Sequence, residues 1–245
     1  MLYDLKVENI LFLDIETVPA VSTYSELPDA FKLLWDKKAL QLKKEEDQTP
    51  ENLYGRAGIY AEFGRIVCIS AGFVFFKKKI PYFRLKSFYN QVEADLLLDF
   101  ATLLNRFGSK KGALLCAHNG KEFDFPYIAR RMLVNGVKLP TLLDVAGKKP
   151  WEVSFLDTME LWKFGDYKHY TSLNLLANLF GIPTPKDDID GSMVADVYYK
   201  TGDIERIARY CEKDVITIAQ LFRRYRNEDT IPADNIESAE SDLDR

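Results

Sequence analysis

The chain has 245 residues, of which 47% are hydrophobic and 13% aromatic, and it carries a formal net charge of −4. This length and apolar content predict one large α/β domain and exclude a disordered chain. The N-terminal sequence has no basic region before an apolar stretch, and no apolar run is long enough for a membrane helix, which excludes a secretory signal and a membrane span. Three widely spaced cysteines are typical of reduced packing residues in a cytoplasmic protein.

The charge is unevenly distributed along the chain. Residues 227–245 contain seven acidic residues and one basic residue, so residues 1–226 carry a small positive charge. Because the last segment is polar and aperiodic, it predicts a disordered acidic tail at 227–245, after a domain at 1–226. Short basic clusters such as Lys77–Lys79 permit nucleic-acid binding without demonstrating it.

The first predicted strand, ILFLDIET at 10–17, runs from apolar residues directly into two carboxylates. Residues i and i+2 of a strand share a face, so Asp14 and Glu16 project to the same side. Two adjacent carboxylates repel each other, and Mg²⁺ or Mn²⁺ relieves that repulsion. The alternative is a strand that becomes polar where it reaches the surface, and this motif alone favours that alternative.

The later elements alternate in type along the chain. Helical spacing at 27–46, followed by a polar segment with glycine, predicts an insertion at about 20–62. A hairpin, a helix, a strand and four helices are predicted after it: 65–76, 80–88, 91–107, 113–119, 125–135, 171–180, 192–200 and 203–226. Strands that mostly precede helices indicate a mixed sheet flanked by helices.

Two further acidic positions stand out. Asp124 follows the strand ALLCAHN, near the sheet rim where ligand sites gather, although a helix cap explains an Asp there equally well. Tyr210 and Asp214 are spaced i and i+4 on the last predicted helix and therefore share its core-facing side. The alternative for Asp214 is an ion pair at the helix edge.

The three motifs together are more specific than any one of them. D-x-E at Asp14–Glu16, N-x-x-x-F-D at Asn119–Asp124 and Y-x-x-x-D at Tyr210–Asp214 resemble the exonuclease motifs of the DEDD (DnaQ-like) superfamily, in its tyrosine-bearing branch. The chain is most similar to predicted 3′→5′ exonucleases related to the proofreading domain of family B DNA polymerases. The resemblance extends from about Ile10 to about Phe222. It implies a ribonuclease H-like fold with a five-stranded mixed sheet flanked by helices.

The resemblance also implies the roles of individual residues. It implies two divalent cations, Mg²⁺ or Mn²⁺, held by four carboxylates, and a tyrosine that orients the attacking water: Asp14, Glu16, Asp124, Asp214 and Tyr210. It places Thr17, Asn119 and Phe123 against the substrate, with Phe123 stacked on the terminal base and Asn119 hydrogen-bonded to the strand. Alternatively, Phe123 is a core residue and Asn119 shapes the turn.

The implied activity is a free-standing 3′→5′ exonuclease that releases nucleoside 5′-monophosphates from single-stranded DNA ends by two-metal-ion hydrolysis. RNA 3′-end trimming is one alternative, because the tyrosine branch includes RNA-trimming enzymes. A catalytically idle nucleic-acid-binding module on the same fold is another. The presence of all four carboxylates and the tyrosine counts against an idle module.

Other polar residues are interpreted as structural. Asp157 is positioned to cap a short helix, and a buried, hydrogen-bonded histidine is the commoner outcome for His118. His169 is assigned to a helix start. Asp187, Asp188 and Asp190 lack the ligand spacing of a calcium loop.

Overall fold

A computed structural model describes residues 2–166, 170–183 and 189–239. One mixed sheet contains six strands in the order β5-β4-β1-β2-β3-β6. The strands are β1 Ile10–Pro19, β2 Gly64–Lys77, β3 Ile80–Phe88, β4 Leu114–Ala117, β5 Leu156–Asp157 and β6 Ile236–Ser238. The α-helices of the described residues are α1 Asp29–Leu42, α2 Pro50–Leu53, α3 Glu93–Gly108, α4 Asp124–Val134, α5 Thr158–Lys163, α6 Leu173–Leu179, α7 Val194–Asp196 and α8 Ile204–Tyr225.

The central strand β1 is covered by helices on both faces. Leu11, Leu13 and Ile15 pack into one cluster with α3 and α4. Ile10 and Phe12 point the other way and pack against α8. This arrangement confirms the predicted mixed sheet flanked by helices, although the sheet has six strands and not five. The two carboxylates that follow Phe12 therefore project toward α8.

The sheet is antiparallel on one side of β1 and parallel on the other. β1 pairs antiparallel with β2, which forms the predicted hairpin with β3, while β4 is parallel to β1 and β5 to β4. The predicted helix at 192–200 differs from the structure, which has α7 followed by a π-helical turn at Val197–Thr201. In the described part of the chain, no helix is both long and apolar enough to cross a membrane.

The segment between β1 and β2 contains the predicted insertion. Trp35 of α1 is fully buried against the turn that follows α2. Its ring N–H donates a hydrogen bond to the Pro50 carbonyl at 2.8 Å. Tyr54 lies edge-on to Trp35, with ring centroids 5.5 Å apart. The insertion therefore forms a small apolar cluster of its own beyond the end of β1.

In the described part of the predicted acidic tail, residues 227–239, Ile231 and a short strand contact the rest of the domain. Ile231 is buried against the α8 side of the sheet, and its backbone N–H and carbonyl both bond to the Gln220 side chain at 2.8 Å. Beyond it, β6 adds to the edge of β3 and forms the sixth strand. The acidic residues Glu228 and Glu237 form ion pairs with arginines of α8 and β3, so their charge is compensated. Residues 240–245 lie outside the described chain.

Candidate active site

The site begins where β1 leaves the core. Asp14 is half-buried and Glu16 is buried, and both face α8 as the strand alternation predicts. The pairing of β1 with β2 is irregular between Glu16 and Thr17, so a bulge follows the two carboxylates directly. Bulges redirect a strand and commonly occur beside functional sites.

A tight turn between β4 and α4 brings Asp124 to the same rim. Asn119 has a φ of 62°, and a Cβ on Gly120 would lie 2.4 Å from the Cβ of Ala117, so only glycine fits the second position. Asp124 is the first residue of α4 and not its cap, which corrects the sequence expectation. Its Oδ1 is buried and has no hydrogen-bond partner among the described residues.

Helix α8 closes the site from the opposite side. The hydroxyl of Tyr210 is hydrogen-bonded to Asp214, one turn along the helix. Between them, the Cys211 thiol donates to the Asp14 carbonyl at 3.4 Å and lies 3.5 Å from Asp14 Oδ2. One ligand atom from each of Asp14, Glu16 and Cys211 lies within 4.8 Å of the others.

Neighbouring negative charges add to the effect of burial on the pKa values of Asp14, Glu16 and Asp124. Burial raises the pKa of Asp14 well above its usual range, and the charges of Asp124, Asp214 and Glu16 raise it further. Burial and then the charge of Asp214 act in the same direction on the pKa of Glu16. Burial raises the pKa of Asp124 to about 7, although backbone hydrogen bonds oppose the shift. The rim is therefore a site of strong negative potential.

This arrangement fits hard divalent cations. The charges of Asp124 on α4 and Asp214 on α8 act on the two carboxylates of β1, and one buried oxygen of Asp124 has no donor among the described residues. Mg²⁺ and Mn²⁺ prefer oxygen ligands, and a bound cation would reverse the unfavourable charge balance. A thiol from Cys211 at the same place is a softer donor, but it is buried and its pKa is raised by that burial.

The three predicted substrate residues border this rim. Thr17 follows the bulge, and its side chain is hydrogen-bonded to the Tyr127 hydroxyl. Asn119 contributes its backbone N–H to Asp157, while its side-chain Oδ1 is buried without a partner among the described residues. Phe123 is half-buried and packs against Tyr127, with ring centroids 5.3 Å apart. Both alternatives for Phe123 therefore retain support, because the ring is partly core and partly accessible.

Asp157 holds the turn that precedes Asp124. Its carboxylate accepts hydrogen bonds from the backbone N–H groups of Asn119 and Lys121 at 2.9 and 3.1 Å, and from Met159 at the start of α5. It therefore caps α5, as anticipated, and also fastens the turn before Asp124. His118 bonds to the Thr158 hydroxyl and the Thr171 carbonyl, which satisfies both ring nitrogens. His169, Asp187 and Asp188 lie outside the described residues.

Sequence reasoning missed a chain of polar contacts beneath the carboxylates. Cys211 contacts Cys68, whose thiol lies 3.9 Å from the Ser70 hydroxyl. The Ser70 hydroxyl lies 2.8 Å from the Ser87 hydroxyl, and the Ser87 hydroxyl donates a hydrogen bond to the Glu212 carboxylate at 2.7 Å. The spacing of the small polar residues in β2 and β3 does not indicate these contacts, because the contacts join the β2–β3 hairpin to α8, which is distant in sequence.

A mixed sheet between helices, with a cluster of carboxylates at the end of its central strand, is the architecture of ribonuclease H-like nucleases. The chain belongs to a family described as predicted 3′-5′ exonucleases related to the exonuclease domain of PolB, whose model matches residues 59–242. That match begins after β1, so the assignment of Asp14 and Glu16 to the site rests on their geometry and not on the family model.

Two relatives are both polymerases of much greater length. A DNA polymerase of Pyrococcus glycovorans is 23% identical over 225 residues, which cover 82% of this chain and 28% of the polymerase. The structure of the family B DNA polymerase from Pyrobaculum calidifontis is 14% identical with a TM-score of 0.52, covering 88% of this chain and 24% of that one. The chain thus spans about a quarter of either protein, and the structural match supports the fold.

Replacement by asparagine is expected to have opposite effects on stability at two buried aspartates, Asp124 and Asp157. The folded-state pKa of Asp124 is raised to about 7, so in metal-free protein its contribution becomes unfavourable as pH rises from about 4 to about 7. Asp124→Asn removes that ionisation, and in EDTA it should raise Tm relative to the parent, by an amount that grows over this pH range.

The matched substitution is Asp157→Asn, which places an amide against N–H donors and should lower stability by about 1–3 kcal/mol at neutral pH. Thermal unfolding of the three proteins at several pH values makes the comparison. A lower Tm for Asp124→Asn at pH 8 would contradict the assignment of an unfavourable buried charge to Asp124.

Proposed function

We propose that this protein is a metal-dependent 3′→5′ exonuclease that acts on single-stranded DNA ends. The observation that carries the proposal is that Asp14 and Glu16 share one face of β1, and that the charges of Asp124 and Asp214 add to burial in raising the pKa of both. Membership of a family described as predicted exonucleases supports the same conclusion. Crowded carboxylates destabilise the folded chain unless they bind cations, and catalysis is a reason to retain them.

The four carboxylates are the proposed ligands of two divalent cations, Mg²⁺ or Mn²⁺. Asp14, Glu16, Asp124 and Asp214 would hold these cations together, and the charges of the other three add to burial in raising the pKa of Asp14. When bound, such cations supply Lewis-acid activation of water and neutralise charge on the phosphodiester.

The chain's own groups position the reactants. Tyr210 is held by its hydrogen bond to Asp214, and burial followed by the charges of Asp214 and Glu16 raises its pKa, so its hydroxyl stays protonated. A protonated hydroxyl in this position orients the attacking water and does not serve as the base. Water adds to the phosphorus, the bond to the 3′-oxygen breaks, and a nucleoside 5′-monophosphate leaves with a new 3′-hydroxyl on the strand.

Three residues at the rim are the proposed contacts for the strand. The unpartnered Oδ1 of Asn119 is an acceptor for a sugar hydroxyl or a base N–H group. Phe123 offers a partly accessible ring for the terminal base, and stacking tolerates any base. Thr17 follows the bulge at the same end of β1. We favour DNA over RNA because the relatives are named as DNA polymerases.

A nuclease assay tests the proposed activity. The parent protein, incubated with 5′-labelled single-stranded DNA or RNA and Mg²⁺ or Mn²⁺, should shorten DNA from the 3′ end, and EDTA should stop the reaction. Asp14→Asn should abolish hydrolysis with an unchanged circular dichroism spectrum, whereas Asp144→Asn at an exposed position should retain full activity. Full activity of Asp14→Asn or in EDTA would remove the metal mechanism, and faster RNA cleavage would reassign the substrate.

Tyr210→Phe tests the orienting role of the hydroxyl. Loss of one positioning or proton-transfer group typically costs about 10²–10⁴-fold, so single-turnover cleavage should slow by this range while substrate affinity is retained. The matched control is Tyr225→Phe, which removes a hydroxyl that donates to the Thr158 carbonyl at 3.2 Å away from the carboxylates. This control should lose stability by about 1 kcal/mol and keep its cleavage rate. Equal cleavage rates for the two variants would exclude Tyr210 from the reaction.

A further inference from the structure

An apolar groove lies on the face of the sheet opposite to the carboxylates. Leu11 of β1 pairs with Phe73 of β2, and Phe73 pairs with Arg84 of β3, so these three side chains share one face. Asp14 pairs with Ser70 and projects to the other face. The groove between β3 and α3 has a volume of about 380 Å³ and is separated from the catalytic rim by the sheet itself.

The floor of the groove is apolar and its rim is basic. Leu11, Phe73, Leu103 and Phe107 line the bottom. The rim carries four cations and one carboxylate: Arg84, Lys86, Arg106, Lys110 and Asp99. A ligand that fits both surfaces must combine an apolar group with negative charge.

Three of the rim cations have no carboxylate partner within the described chain. Arg84 is paired with Glu237 at 3.2 Å, but Lys86, Arg106 and Lys110 form no ion pair with any residue that the structure describes. Lys110 lies over the rings of Phe73 and Phe107, with its Nζ 4.8 and 4.4 Å from their centroids. Partial burial and then the charge of Arg106 lower its pKa, and an anion bound beside it would favour the charged ammonium form.

We propose that this groove binds a short acidic peptide of a partner protein, with an apolar side chain on the floor and carboxylates against Lys86, Arg106 and Lys110. Charge complementarity selects an anionic occupant, and the apolar floor selects one with an aliphatic or aromatic side chain. A nucleic-acid strand fits less well. Lys110 already covers two of the rings on which bases would stack, and the sheet lies between this groove and the catalytic carboxylates. The proposal is independent of the exonuclease reaction.

Fluorescence anisotropy tests the proposal on the full chain. The probe is a fluorescein-labelled hexapeptide, Asp-Asp-Leu-Asp-Asp-Phe, and the comparison probes are the same peptide with lysine for aspartate and a labelled twelve-nucleotide oligothymidine. The acidic peptide should bind and the basic one should not. Arg106→Glu and Lys110→Glu should each weaken binding about tenfold, whereas Lys138→Glu, an exposed lysine outside the groove, should leave it unchanged.

Two further measurements would show whether a different ligand occupies the groove. The sequence from 240 to 245 is acidic with one leucine and follows Ala239 at the groove lip. If Leu243→Ser raised peptide affinity, the occupant would be the chain's own terminus and the partner proposal would be wrong. If the groove variants weakened oligothymidine binding and not peptide binding, the groove would belong to nucleic acid. Absence of peptide binding to the parent, or equal affinity in Lys110→Glu, would also overturn the proposal, and none of these results depends on nuclease activity.

Discussion

The mutual repulsion of four carboxylates, held together by the packing around them, is the constraint on which the rest of the structure depends. Asp14 and Glu16 are carried by a strand whose apolar side chains are buried on both faces, so they cannot separate without disturbing the core. Asp214 is carried by a long helix anchored by apolar residues such as Ile218. Apolar burial of this extent offsets several kcal/mol of local electrostatic cost.

Specific local contacts then fix the geometry of the rim. Asp157 binds the backbone of the turn at Asn119, and that turn determines where Asp124 enters the site. The bulge after Glu16 shifts the register of β1 against β2, and the pairing then continues to Pro19. Cys211 ties α8 to the backbone and carboxylate of Asp14. These contacts join β1, α4 and α8 at one place, although α4 and α8 pack on opposite faces of the sheet.

The sequence predicts well those features that depend on local periodicity. Alternation in β1 placed Asp14 and Glu16 on one face, and i, i+4 spacing placed Tyr210 beside Asp214. It predicts poorly what depends on distant partners. The acidic segment after residue 226 has the composition of a self-repelling tail, but Glu237 forms an ion pair with Arg84, which is 153 residues away in the chain.

The same limitation applies to Asp124 and Cys211. A capping role for Asp124 followed from its position before an apolar helix, whereas the structure starts the helix at that residue and leaves one oxygen unpartnered. Nothing in the spacing of Cys211 indicates contact with Asp14, because that contact forms only when α8 packs on the sheet. The assignment of individual ligands therefore rests on tertiary packing as well as on motif order.

Calorimetric titration of the substrate-free protein with Mn²⁺ at pH 7, in buffers of different ionisation enthalpy, tests the central claim most directly. Because the pKa values of Asp14, Glu16 and Asp124 are raised, cation binding should release protons, and Glu16→Gln should weaken binding by about tenfold or more. Absence of Mn²⁺ binding, or equal affinity and proton release in the parent and Glu16→Gln, would contradict the account.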